Sequence, residues 1–116
     1  MNIDLNRAHG VLWGQAVGDA LGTTVEFSDE LTIATLRGRW PREIVGAGPF
    51  HVLPGQVTDD TELALALART LASTHRYDDD AVAEAYLAWF ASEPFDFGRA
   101  TSRAFRSDSV YNSELR

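Results

Sequence analysis

At 116 residues, with 45% hydrophobic and 23% charged side chains, the chain is long enough for one modest core, too short for two, and too apolar for wholesale disorder. A formal net charge of −7 without any basic run excludes the positive patches that nucleic acid and anionic membrane surfaces require. The absence of cysteine, together with arginine at all ten basic positions, excludes disulfide frameworks, thiolate nucleophiles, Cys-type zinc sites and lysine Schiff bases.

No stretch approaches the roughly 20 apolar residues that span a bilayer, and the N-terminus lacks a signal-peptide pattern, so the expected location is cytoplasmic. A single domain over residues 1–116 is expected. From Leu5 to about Leu21, the residues Leu5, Ala8, Leu12, Ala16 and Ala20 recur at helical spacing, with Trp13 and Val17 widening the stripe, which predicts a core-facing helix. Gly14 and Gly18 lie four apart within it, each costing about 1 kcal/mol relative to alanine. In a membrane helix that spacing would mean dimerisation. Here the segment is short and carries Asp19, so the glycines point to close approach by another backbone or a ligand.

Gly22 reads as a C-cap, and Thr23 to Phe27 as extended or irregular chain. Asp29 is placed to cap a short helix through Leu36. From Gly38 to Gly55, the breakers Pro41, Gly46, Gly48, Pro49, Pro54 and Gly55 predict a long loop, with Trp40 and Phe50 as its anchors. His51, within that loop, has no partner at helical spacing and reads as structural. The most regular element follows, a helix from about Thr58 to Thr74 with Leu63, Leu67 and Leu71 on one stripe. Asp78-Asp79-Asp80 reads as the cap and first turn of a further helix whose Val82, Tyr86, Trp89 and Phe90 form an aromatic core face. Phe95-Asp96-Phe97-Gly98 links it to a short helix from Arg99 to Phe105, before a polar tail without clear period. No strand is evident. The fold class is all-α, a compact orthogonal helical domain with a long Gly/Pro-rich loop before the acidic helix.

That helix opens on Thr58-Asp59-Asp60-Thr61-Glu62, which admits two readings. Adjacent carboxylates flanked by threonine hydroxyls are hard oxygen donors suited to Mg²⁺, Mn²⁺ or Ca²⁺. Equally, Thr58 or Asp59 serves as N-cap, with Glu62 three residues after Asp59 completing a capping box against the positive end of the helix dipole. A single acid such as Glu26 is ordinarily just solvated. Asp96, between two phenylalanines, is either a cap or, if buried, a carboxyl with a raised pKa of the kind general acid or base work uses.

Taken in order, Gly14-x-x-x-Gly18-Asp19-Ala20-Leu21-Gly22, Glu26-Phe27, Gly48-Pro49-Phe50, Gly55-Gln56-x-Thr58-Asp59-Asp60-Thr61-Glu62 and Phe95-Asp96-Phe97-Gly98 resemble the ADP-ribosylglycohydrolases, over roughly residues 8 to 105. The resemblance implies an all-α fold, two Mg²⁺ or Mn²⁺ ions, and removal of ADP-ribose from a modified protein side chain or a small ADP-ribose conjugate. It also implies roles: Thr58, Asp59 and Asp60 as metal ligands, Glu26 as an acid at the metal site with a catalytic part, and Asp96 as an acid/base or metal-organising group near the substrate. Two departures accompany it. The family's second aspartate-rich metal motif is absent, and Asn112-Ser113-Glu114-Leu115-Arg116 stands where the family has an Asn-Gly loop leading to Met-Arg. The expectation is therefore an N-terminal portion carrying half of a dinuclear site, completed by a C-terminal half or by self-association. The alternative is a non-catalytic truncated homologue that binds ADP-ribose or a partner, or serves structurally.

Overall fold

The computed structural model describes residues 4–36 and 43–114, with residues 36 and 107–114 described by their backbone alone. Its elements are α1 (Leu5–Gly22), a 3-10 turn (Thr23–Val25), α2 (Glu30–Leu36), α3 (Asp59–Thr74), α4 (Asp79–Ala91) and α5 (Arg99–Glu114). Among the described residues the only extended pairing is an isolated antiparallel bridge between Ala47 and Val52, so the chain is all-α, as expected. The chain divides into two compact units, Met1–Ala64 and Leu65–Arg116, with α3 running through the boundary. Among the described residues no helix is long and apolar enough to cross a membrane.

In the first unit, α1 starts where Asp4 turns the chain, its Oδ1 accepting from the backbone N–H groups of Asn6 and Arg7 at 3.0 and 3.4 Å. The predicted stripe is buried only toward its C-terminal end. Ala20 is 3% exposed and Leu12 and Ala16 are half-buried, whereas Leu5 and Trp13 are open to solvent. The reason is geometric: Leu5, Val11, Trp13 and Val17 leave the helix in several directions, and one neighbouring face cannot cover them all.

Gly22 does not end the helix in the left-handed conformation expected of a C-cap. Thr23 follows in right-handed geometry, its N–H and hydroxyl both donating to the Asp19 carbonyl, while the Thr24 hydroxyl donates to the Leu21 carbonyl at 2.8 Å. Threonine hydroxyls thus satisfy the last carbonyls of α1, and the chain tightens into the 3-10 turn instead of breaking into extended backbone. Asp29 then caps α2 through a 2.7 Å bond from the Thr32 N–H. That backbone bond leads the causes holding the Asp29 carboxyl below its ordinary pKa.

From residue 43 on, where it is described, the Gly/Pro-rich segment is ordered by its own backbone. Ala47 and Val52 exchange N–H···O bonds of 2.7 and 3.0 Å, and Gln56 folds back so that its side-chain oxygen accepts from the Leu53 N–H at 3.1 Å. Gly48, at φ +66°, lies so close to the 3-10 turn that a Cβ would sit 2.7 Å from Thr24 Cα. Only glycine permits both the backbone angle and the approach. Phe50 anchors the segment as expected, packing edge-on against Phe27 with ring centroids 6.0 Å apart; Trp40, the other expected anchor, lies outside the described residues.

In the second unit, Asp78 caps α4 by accepting from the Ala81 N–H at 3.2 Å. Val82 is buried, and Trp89 and Phe90 meet Phe97 and Phe105 in an aromatic cluster whose centroids lie 4.8–6.5 Å apart. Aromatic pairs at such separations add about 0.5–1.5 kcal/mol each beyond their area burial. α5 continues to Glu114, well past the predicted end at Phe105. The polar tail has no apolar period to signal a helix, but it also contains neither glycine nor proline to stop one already nucleated.

Candidate functional site

The first unit contains a cavity of about 420 Å³ between the C-terminal half of α1, the 3-10 turn and the first turn of α3. Its wall on α1 is Gly14, Gly18 and Gly22, where an added Cβ would meet nothing within 4 Å. The glycines therefore border open space, consistent with the ligand side of the sequence expectation; no backbone among the described residues closes on them. The opposite wall carries Thr58, Asp59 and Asp60, and half-buried Glu26 lies at the exit of the 3-10 turn. Four of the five site residues named from the sequence are thereby brought to one cavity. The fifth, Asp96, is half-buried in the link between α4 and α5 of the second unit.

What holds this arrangement is Asp19. Its carboxylate accepts from the Thr58 N–H at 2.8 Å, the Thr58 hydroxyl at 2.8 Å, the Thr61 N–H at 3.3 Å and the Thr61 hydroxyl at 2.6 Å. The Thr23 hydroxyl stands 3.2 Å from the same group. Thr58 and Thr61 are almost fully buried at 3% and 2% exposure. α3 is therefore capped by a side chain 39 and 42 residues away, not by itself. The helix begins at Asp59 with Thr58 at the cap position, and the Glu62 N–H closes the first turn on the Thr58 carbonyl. The expected capping box of Asp59 with Glu62 is displaced by one residue, and Asp19 takes the N–H groups of the cap and third positions that such a box would satisfy.

The electrostatics follow from this geometry. Burial raises the Asp19 pKa, but the hydrogen bonds from Thr61, Thr58 and Thr23 outweigh it and hold the carboxyl below its ordinary value. Asp60 moves the other way: partial burial, then the negative charges of Asp59 and Asp19, push its pKa up. Three carboxylates converging on one helix start create a local excess of negative charge that a cation would relieve.

The donor set fits a hard divalent ion in part. Asp59 and Asp60 offer carboxylate oxygens, and the Thr58 hydroxyl spends its proton on Asp19 and so keeps its oxygen lone pairs. Among the described residues, no group of three or more His, Asp or Glu side chains is placed to hold a metal by itself. The fit is that of a partial coordination shell.

Residues 1–114 match the family model of the ADP-ribosylglycohydrolases. The chain belongs to this family. It is 44% identical over 101 residues to the ADP-ribosyl-[dinitrogen reductase] glycohydrolase of Rhodospirillum rubrum, covering 87% of this chain and 34% of that protein. With the ADP-ribosylarginine hydrolase of Pseudomonas putida it shares 40% identity over 108 residues, covering 86% of this chain and 27% of that protein. The corresponding hydrolase of Serratia proteamaculans is 38% identical over 109 residues, covering 86% and 28%. The chain thus spans about a third of the length of the curated relatives it matches. In this member of the family, Asp19 lines the cavity and holds the start of α3, a part that reading the sequence did not assign to it. A signal was present: an acid in the last turn of a helix opposes the negative end of the dipole, and such a residue is tolerated where something else takes up its charge.

Proposed function

We propose that this chain provides the N-terminal part of a hydrolase that removes ADP-ribose from a modified protein side chain, and that it carries one half of a dinuclear Mg²⁺ or Mn²⁺ site. The supporting observation is the placement of Thr58, Asp59, Asp60 and Glu26 around one cavity in a chain of this family. The relatives' names supply the substrate class: an ADP-ribosylated dinitrogen reductase in one case, ADP-ribosylarginine in others.

In this reading Thr58 Oγ1 and the carboxylates of Asp59 and Asp60 would hold the metal. When bound, the ions supply positive charge for a diphosphate-linked ligand, polarise ribose hydroxyls and acidify water. The chain's own groups do the rest. Glu26 offers a carboxylate at the cavity edge to accept a proton from water or a ribose hydroxyl, and the acidic wall favours the oxocarbenium-like charge that develops at the anomeric carbon as the glycosidic bond breaks. The glycine face of α1 leaves room for the ligand. Asp96, in the second unit, keeps the acid/base or organising role that the family resemblance implies.

The test is release of ADP-ribose from ADP-ribosylarginine protein in Mn²⁺, by the chain alone and with the C-terminal part of a family relative added. Little turnover alone and activity on addition is the expected pair of results. Robust turnover by the chain alone overturns the half-site, and inertness in both conditions assigns the chain a binding or structural role.

A further inference from the structure

From the hydrogen bonds at the start of α3, we infer that Asp19 is a positioning residue that sets both the placement of the Thr58-Asp59-Asp60 turn and the polarity of the Thr58 hydroxyl. The inference rests on the metal reading proposed above for those three residues, and it concerns a residue outside that donor set.

An ordinary threonine N-cap uses its side-chain oxygen as an acceptor for the N–H three residues on. Had Thr58 capped its own helix, one lone pair of Oγ1 would be spent on the Thr61 N–H. Asp19 takes that N–H instead at 3.3 Å, and also takes the Thr58 hydroxyl proton at 2.8 Å. Thr58 is turned from acceptor to donor, and its oxygen is kept for a ligand on the cavity side. A carboxylate is well suited to this exchange because it accepts only, and its two oxygens receive all four protons from Thr58 and Thr61. The Thr23 hydroxyl holds the same carboxylate from the α1 side. The two walls of the cavity are joined through this one group, and an amide at position 19 would present a donor to hydroxyls that are already donating.

The experiment compares wild type, Asp19→Asn and Val82→Ala, the last a core variant in the second unit that lowers stability without touching the site. Two readouts are taken: amide hydrogen exchange along α3, and Mn²⁺ affinity by calorimetry. In Asp19→Asn, amides of residues 58–62 should exchange at least about tenfold faster relative to residues 65–71, and Mn²⁺ affinity should fall about 10- to 100-fold, the range for groups that orient metal ligands. Val82→Ala should leave affinity within about twofold. Unchanged first-turn exchange in Asp19→Asn overturns the inference, as does an affinity loss that Val82→Ala reproduces at equal stability. Wild type failing to take up Mn²⁺ would sink the metal reading, and the exchange data would still decide whether Asp19 holds the turn. Should Asp19→Asn not fold, Thr61→Val, which replaces one hydroxyl by a methyl and deletes the 2.6 Å bond alone, should shift both readouts in the same direction by a smaller factor.

Discussion

The chain has two helix starts that look interchangeable as text, Thr58-Asp59-Asp60 and Asp78-Asp79-Asp80, and they are held by opposite means. At α4 the cap is local: Asp78 accepts from Ala81 three residues on and pairs with Arg76, while Asp79 and Asp80 stand exposed. A cation on the chain already answers the charge there. At α3 the cap comes from another helix, the cap residue itself is buried, and the acids face a cavity with Asp19 adding a further negative charge. Acid count treats the two helix starts as alike; the origin of the cap and the sign of the neighbouring charge tell them apart.

The comparison breaks most visibly under truncation of the two caps. Asp19→Ala leaves the polar groups of two buried threonines without their acceptor and should cost about 3 kcal/mol in urea unfolding. Asp78→Ala, losing an ordinary cap with an exposed partner, should cost about 1 kcal/mol. Equal losses would mean that the long-range cap has no special weight.

Metal binding should separate the turns next. Alanine at Asp59 and Asp60 should lower Mn²⁺ affinity at least about 100-fold, or about 2.7 kcal/mol, whereas alanine at Asp79 and Asp80 should change it less than about twofold. Calorimetric titration of the two double variants side by side checks this. Similar behaviour would return α3 to the status of a capped acidic helix.

The smallest effect is on pH dependence. Asp19 has a folded pKa below its unfolded value, so its contribution is fully present above about pH 4 and is lost as pH falls toward the folded value. Asp60, with a raised folded pKa, acts in the opposite sense: its contribution is present below the unfolded value and is lost as pH rises through the folded one. In metal-free buffer, urea midpoints should therefore fall on acidification below about pH 4, and Asp19→Asn should flatten that limb. A limb of unchanged steepness would show that the carboxylate is not the group being titrated.

Much of the fold was legible because it is written locally. The helices α3 and α4, the Asp29 and Asp78 caps and the aromatic face of α4 each depend on residues within a few positions of one another, although Leu71 of the expected α3 stripe is exposed. That Thr58, Asp59, Asp60 and Glu26 line one cavity was approached only through the order of the family motifs, because residue types alone left Thr58-Asp59-Asp60 open between cap and metal donor and made Glu26 an ordinary solvated acid. What escaped depends on distance along the chain or on the absence of a signal. Asp19 meets its partners 39 and 42 residues later, which no periodicity reveals. The 3-10 turn replaced extended chain because hydroxyls of Thr23 and Thr24 served the last carbonyls of α1, and α5 outran its predicted end because nothing in its polar tail stops a helix.

The open glycine face of α1 sets stability against purpose. At positions 14 and 18 an alanine would meet no obstacle and would favour the helix by about 1 kcal/mol each, raising the melting temperature. A screen that rewards heat resistance would therefore drift toward Gly14→Ala and Gly18→Ala, and in doing so would place methyl groups along the cavity wall opposite Asp59 and Asp60. The chain forgoes rigidity that it has room to acquire, and the room itself is what such an improvement would consume.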